Sequence, residues 1–453
     1  MHTTTAAASA RPDPHRLRPS LDSLGVLELL GRERFAAALA EHCPRFRRRR
    51  YTPARTLAMF VAQTLSDDAS CRRAVNEHIA QCVARGEPAP SSHTGAYSDA
   101  RQRLPIELVR ALGAEAARAT RQAHLRASTA PARPTLLIDG TGFSMPDTDD
   151  NQARFPQSAS QLPGCGFPQG RLVVLACAAS GAIVETTVSG AIGKGTGETT
   201  AFRELVSRCA AGTVLVGDAI YEDYRGWAAL GKAGCDAVFE INGSRTYRGR
   251  PPKRLRLVRP RRGERMTLEE HAALPPSLEL RVVVSSRSGC EDKFLVTSLL
   301  DEKSWPDEAI VALYLGRWDI ECDFRSFKDA LGADVLGCRT PEMVEKELAV
   351  HVLGYNLVRL LMVEAAVAAG LRPREVSFRH AQQCWSAWVL AGVVFDDRAW
   401  AVLLERVVQH RVRNRPGRKE PRAIKRRPKP RALLDLRREA AREACELYER
   451  RGR

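Results

Sequence analysis

The sequence predicts a mixed α/β fold, a central α/β region set between a helical N-terminal region and a helical, basic C-terminal one. Two observations carry this. From Pro134 onward, short β-branched runs alternate with helix-length stretches, the pattern of strands interleaved with helices. Before and after that region, apolar residues recur at helical spacing instead.

Up to about Ala130 the chain is predicted to be mostly helical: Leu24, Leu27, Leu30 and Phe35, then Leu57, Phe60, Val61 and Leu65, follow helical spacing. Thr52-Pro53 reads as a helix cap with proline in the first turn. The joining segments are basic, Arg45 to Tyr51 before one helix and Ser91 to Arg103 around another. Such runs beside a helix pair suit DNA phosphates, though a run of arginines also serves as a plain solvated face.

Strands are predicted at Thr135–Phe143, Arg171–Ala178, Ala182–Val188, Thr213–Gly217 and Ala237–Ile241, with helices at Glu198–Cys209 and Glu222–Ala233. Residues 242–297 open on Asn242-Gly243, carry the basic loop Arg245 to Arg265 and hold two further strands, Leu278–Ser285 and Lys293–Leu299, which predicts a β-rich insertion. A long helix follows Ser304-Trp305-Pro306 and runs to about Gly332, and more helix is expected over Met343–Ala369 and His380–His410. The predicted divisions are 1–130, 131–241, 242–297, 298–370 and 371–453.

The chain has 453 residues, 44% of them apolar, which is enough for a sizeable core and excludes wholesale disorder. The longest apolar stretches, such as Leu360 to Ala369, are broken by Glu364, so no membrane span is predicted, and no secretory signal is read at the N-terminus. A cytoplasmic protein is expected. Twelve cysteines without a C-x-x-C pair match neither a zinc ribbon nor a disulfide framework. Lys and Arg number 70 against 53 Asp and Glu, a net charge of +17, and the commonest polyanion open to such a protein is nucleic acid. The charge is densest in the C-terminal tail, where 12 Lys or Arg and the single acid Glu420 lie between Arg406 and Arg431. Prolines there disfavour a regular helix, and the segment reads as an arm that gains order on a polyanion. Its alternative is a solubilising tail.

The most informative stretch is Tyr314 to Lys328. On a regular helix Tyr314, Arg317, Glu321 and Lys328 fall at roughly 0°, 300°, 340° and 320°, one polar stripe, while Leu313, Ile320, Phe324, Phe327 and Leu331 form an apolar one at about 220° to 280°. Alone, that stripe is compatible with ordinary ion pairing along a helix. Two further carboxylates give it weight. Asp139 follows Thr135-Leu136-Leu137-Ile138 and Asp218 follows Thr213 to Gly217, so both stand at the ends of predicted buried strands. With Glu321 they make a candidate three-carboxylate cluster. Carboxylates with waters and phosphate oxygens hold hard divalent cations such as Mg²⁺, and neighbouring Arg317 and Lys328 suit a phosphodiester.

Tyr314, Arg317, Glu321 and Lys328 reproduce the spacing Y-x2-R-x3-E-x6-K, and over about residues 20 to 435 the chain resembles bacterial insertion-sequence transposases of the DDE class that carry that signature. Asp139-Gly140-Thr141 with Met145-Pro146-Asp147-Thr148, and Gly217-Asp218-Ala219 with Tyr221, resemble the family's first and second catalytic segments. Tyr97 to Leu104 resembles its N-terminal region and His410 to Lys429 its basic ending. The resemblance implies a ribonuclease H-like catalytic domain in two parts (131–241 and 298–370) interrupted by the insertion, with 1–130 as a DNA-binding domain. It implies that Asp139, Asp218 and Glu321 bind two Mg²⁺ or Mn²⁺ ions. It further implies DNA contacts through Tyr314, Arg317 and Lys328, and with the basic tail it suggests contacts through Arg411, Arg415, Arg418, Arg426 and Arg427. Hydrolysis at the element ends would free a 3′-OH that attacks target DNA. The implied partners are double-stranded DNA, as terminal inverted repeats and target, and a second copy in a homodimer; the implied location is the bacterial cytoplasm, at the nucleoid.

Other motifs are weaker. Gly193 to Glu198 is glycine-rich but fits no phosphate-loop or dinucleotide pattern, and it reads as a loop before a helix. Trp305 and Trp318 are candidates to stack on an unpaired base, or core residues. The competing class is a DNA-binding repressor, or an inactive copy, that holds element ends without cutting them. Against it, acids repel DNA unless cations neutralise them.

Overall fold

The computed structural model describes residues 29–46, 50–127, 133–193, 195–242, 251–263, 266–286, 292–393, 396–412, 436–437 and 439–444. Five helices come first: α1 (Arg32–His42), α2 (Pro53–Thr64), α3 (Cys71–Ala84), α4 (Gly95–Arg103) and α5 (Ile106–Ala127). Thr52 caps α2, its side chain accepting the Arg55 N–H at 3.3 Å with Pro53 in the first turn. Leu24 and Leu27 lie outside the described residues.

The central region is built on β1 (Thr135–Ser144), β2 (Gln169–Cys177), β3 (Ile183–Gly190), β4 (Val214–Gly217) and β5 (Asp236–Glu240). Short α6 (Asp149–Arg154) follows β1, while α7 (Glu198–Val206) and α8 (Tyr224–Ala233) make the connections to β4 and β5. The later strands β6 (Arg254–Val258), β7 (Ser277–Ser285) and β8 (Lys293–Thr297), with α9 (Leu268–Ala272) between β6 and β7, do not form a sheet of their own. They continue the same sheet, which runs β3-β2-β1-β4-β5-β8-β7-β6. β1, β4 and β5 are parallel neighbours, and the other pairings are antiparallel. Strand β6, inside the segment expected as a basic loop, pairs with β7 through Leu255 and Leu257, and its arginines take the intervening positions. Charge masked a strand whose apolar period is only two residues long.

Both faces of the central strands are covered. Ile138, Leu215 and Phe239 face a core with Phe202 of α7 and Trp227 of α8. Leu137, Val216 and Val238 face the larger core, which is shared with α5 and with α12 (Pro341–Ala368). This double burial explains why these strands read as continuous apolar runs. By length and composition α12 is apolar enough to cross a membrane, yet it is largely buried inside the protein. Asn356 on its buried face accepts the Ile183 N–H at 2.8 Å and donates to the carbonyls of Ile183 and Gly113, tying β3 to α5.

The helix predicted from Pro306 to Gly332 is present but not uniform. It runs as α10 (Asp307–Leu315), a 3₁₀ turn (Gly316–Trp318), α11 (Asp319–Arg325) and a π-helical turn (Ser326–Ala330), and it stops at Gly332 with φ +68°. The stretch expected over His380–His410 divides into α13 (Phe378–Leu390) and α14 (Asp397–Val407).

Candidate active site

The parallel register of β1 and β4 pairs Thr135 with Val214, Leu136 with Leu215 and Leu137 with Val216. Carried two residues further, the same register sets Asp139 level with Asp218. β4 and β5 pair Gly217 with Phe239, so Glu240 stands level with Asp218 on the next strand. Three acids therefore stand level on three adjacent strands, Glu240 ending β5 and Asp218 just past β4; Asp139, expected at a strand end, instead lies midway along β1, which runs on to Ser144 against β2 after its pairing with β4 has stopped. Asp139 Oδ1 accepts the Gly140 N–H at 2.7 Å, and Asp218 Oδ1 caps the short turn Ala219–Tyr221 by accepting the Ile220 N–H at 3.0 Å.

Space constrains the flanking glycines unequally, firmly at Gly217 and only against a movable side chain at Gly140. A Cβ on Gly217 would lie 2.7 Å from Ile138 and 2.8 Å from the Tyr221 ring, and one on Gly140 would meet the Glu198 carboxyl carbon at 2.8 Å. Glu198, the first residue of α7, is thus a fourth acid beside Asp139; it pairs with Arg171 at 3.2 Å and accepts the Tyr221 hydroxyl at 3.3 Å.

Glu321 lies on α11, and its carboxylate accepts from the Arg317 guanidinium at 3.3 Å. Burial works against the charge on Arg317, but Tyr314, Asp139, Glu321 and Asp218 around it hold its proton more tightly than usual. Arg317 thus pairs directly with Glu321 and also feels the charges of Asp139 and Asp218. Tyr314 is buried and its hydroxyl donates to Glu240 Oε2 at 2.5 Å, while the Lys293 ammonium of β8 reaches the same oxygen at 2.6 Å. Burial pushes the Glu240 carboxyl up, but these two donors bring it below the ordinary range.

Lys328 sits in the π-helical turn, and among the described residues no hydrogen bond or ion pair reaches its ammonium. The single polar stripe of a regular helix is therefore modified, because the 3₁₀ turn winds tighter and the π turn looser than 100° per residue. π turns of this kind recur at functional sites. Trp318 is exposed beside Arg317, whereas Trp305 packs against the core with the Arg133 guanidinium 5.9 Å from its ring.

Burial raises the Asp139 carboxyl to about 6; the Gly140 N–H opposes the rise, the Asp218 charge adds to it and Arg317 offsets part of it. A half-buried acid with raised proton affinity beside a second acid is the environment that a divalent cation relieves. The all-oxygen donor set of Asp139, Asp218 and Glu321 fits a hard cation. Among the described residues, no three His, Cys, Asp or Glu side chains are gathered as a metal cage, so the three carboxylates expected to cluster do not do so here, and Glu321 pairs with Arg317.

The two basic N-terminal segments do meet. Arg50, Tyr51, His93 and Arg103 line one hollow of about 280 Å³. Arg411 is exposed and forms an isolated bridge with Val376, while Arg415, Arg418, Arg426 and Arg427 lie outside the described residues. Glu198, Glu240 and Lys293 escaped sequence reasoning. Glu240 carried one available signal, an acid following a short apolar run, as Asp139 does and Asp218 nearly does.

A family model described as Transposase DDE domain matches residues 130–357, just over half of the chain, and the protein belongs to that family. Among curated proteins it is similar to Transposase InsG for insertion sequence element IS4 of Escherichia coli (strain K12), with 27% identity over 304 residues. That match covers 62% of this chain and 64% of the relative, so the chain spans less than two thirds of the relative's length. Among solved structures, a piggyBac transposase synaptic complex with hairpin DNA aligns over 87% of this chain and 86% of its own, at 8% identity and a TM-score of 0.41, a likeness too slight to bear on fold or function.

Proposed function

We propose that the protein is a DNA transposase that hydrolyses phosphodiesters at the ends of its own insertion sequence and joins the freed 3′ ends to target DNA. The observation that carries the reading is the level placement of Asp139 and Asp218 on adjacent parallel strands, with the Arg317–Glu321 pair supporting it through the charges that Arg317 shares with both. The order β3-β2-β1-β4-β5, three antiparallel strands followed by two parallel ones, supports a ribonuclease H-like core.

In this reading Asp139, Asp218 and Glu321 hold divalent cations, Mg²⁺ or Mn²⁺, as is usual in the family. When bound, such ions activate the attacking hydroxyl and stabilise the leaving oxygen. Arg317 changes partners on binding: it now neutralises the acids and would then be free to grip the DNA phosphate with its forked donors. Tyr314 and Lys328 line the same helical segment, as the Tyr-Arg-Glu-Lys signature requires. The basic hollow between Arg50 and Arg103 supports end binding by the N-terminal helices, and the charges of Arg411, Arg415, Arg418, Arg426 and Arg427 would add to it. Bridging two element ends calls for a homodimer.

The test is strand transfer. Duplexes ending in the element's terminal repeat with an exposed 3′-OH are incubated with the protein, Mg²⁺ and a supercoiled target plasmid. Covalent joining of the duplex to the plasmid supports the reading. Tight end binding without joining, under either metal, favours the repressor alternative.

A further inference from the structure

The helix that carries Glu321 is gripped from behind by a buried charge cluster. Asp323 is only 3% exposed, and its carboxylate accepts from Arg359 of α12 and from both terminal nitrogens of Arg374, each at 3.1 Å. Arg374, in the short turn Pro373–Glu375, also donates to the carbonyls of Ala178 at 2.6 Å and Cys177 at 3.2 Å, and pairs with Asp319 at 3.3 Å. Arg359 donates to the Tyr355 hydroxyl at 2.8 Å, which donates to the Gly181 carbonyl at 3.1 Å. Gly181 has φ +75°, and a Cβ there would lie 2.8 Å from the Arg359 guanidinium carbon and 3.0 Å from Asp323 Oδ1. The β2–β3 turn, α12 and the 373–375 turn thus converge on one side chain of α11.

Asp319 and Asp323 share one face of the helix, and Glu321, two residues away, lies about 200° round from Asp323. The cluster holds one side of α11 and so fixes the rotation at which Glu321 is presented on the other. Two buried charges and the half-buried Arg374 are a costly way to hold a helix, since apolar side chains often pack as well or better. What the cluster adds is direction: a forked guanidinium meeting a carboxylate tolerates little rotation. We propose that Asp323, with Arg374, is a positioning residue that aims Glu321 at the row formed by Asp139 and Asp218. This inference rests on the transposase reading.

The experiment compares wild type, Asp323→Asn and Arg374→Lys in single-turnover cleavage of a duplex carrying the terminal repeat, with end affinity measured separately in EDTA and folding followed by melting curves. Asp323→Asn keeps shape and loses charge; Arg374→Lys keeps charge and loses the fork. The expected result is cleavage slowed by at least ~10-fold in both variants, since a misplaced group costs rate, while end affinity stays within about threefold. If Asp323→Asn does not fold, Arg374→Lys decides alone. Folded variants that cleave at the wild-type rate, or that lose rate and affinity in parallel, overturn the inference and leave the transposase reading standing. A wild-type protein that cleaves nothing overturns that reading, and the inference with it.

Discussion

The Tyr314 hydroxyl donates its proton to Glu240, 2.5 Å away, on the oxygen that also holds Lys293. A tyrosine expected to hold a phosphate is thus engaged by a carboxylate, and a lysine from the late strands is engaged with it. Glu240→Gln keeps an acceptor for Tyr314 but frees Lys293 and removes one negative charge beside the proposed phosphate path. Because both side chains are partly exposed, the change in stability should stay below about 1 kcal/mol. Affinity for end DNA should rise about threefold at low salt, with a steeper salt dependence. Anisotropy titrations across a salt series check this, and weaker binding by the variant would count against a phosphate-facing Lys293.

Asp139 gives a pH dependence of defined sign. Its carboxyl is raised from 3.8 to about 6, chiefly by burial. Below pH 3.8 the folded and unfolded states are both protonated there, between 3.8 and 6 only the folded state keeps the proton, and above 6 both release it. Stability should therefore fall as pH rises from about 4 to about 6, by at most about 3 kcal/mol, and stay lowered above that. Asp139→Asn should remove this loss and melt higher than wild type at pH 7.5 but not at pH 4. Melting curves of both proteins at the two pH values test it.

Divalent ions should act oppositely on the same pair. Mg²⁺ or Mn²⁺ added at pH 7.5 should raise the wild-type melting temperature, because a ligand that binds the folded state stabilises it, and should raise that of Asp139→Asn much less. Equal shifts in both would separate Asp139 from the metal.

Gly217 packs where no side chain fits. Gly217→Ala should destabilise by about 1–3 kcal/mol, the range for overpacking, because Ile138 and the Tyr221 ring are both buried. Gly140→Ala meets only the movable end of Glu198 and should cost less. Urea unfolding of the two variants ranks them; the reverse order would contradict the packing described here.

The strands of the central sheet, and the places of Asp139 and Asp218 on them, were readable because short, compact apolar runs lead into isolated carboxylates. Glu321 and Arg317 were readable from helical spacing, and they do pair. Lys328 was less so, since a turn of different pitch intervenes and a wheel drawn at 100° per residue cannot represent it. Glu240, Glu198 and Lys293 become neighbours of the site only through the parallel register and the joining of β8 to β5, relationships between segments distant in sequence. The cluster on Asp323 was hidden for the same reason, because its two arginines lie 36 and 51 residues further along the chain.

The central claim is that Asp139, Asp218 and Glu321 act together on a phosphodiester. It is tested most directly by cleavage of a labelled duplex carrying the element's terminal repeat, in Mg²⁺ and in EDTA, by wild type, Asp139→Asn, Asp218→Asn and Glu321→Gln. Cleavage should occur at the repeat boundary only with metal and only by wild type, with end binding retained in all three variants. Cleavage by any of the three at the wild-type rate would contradict it.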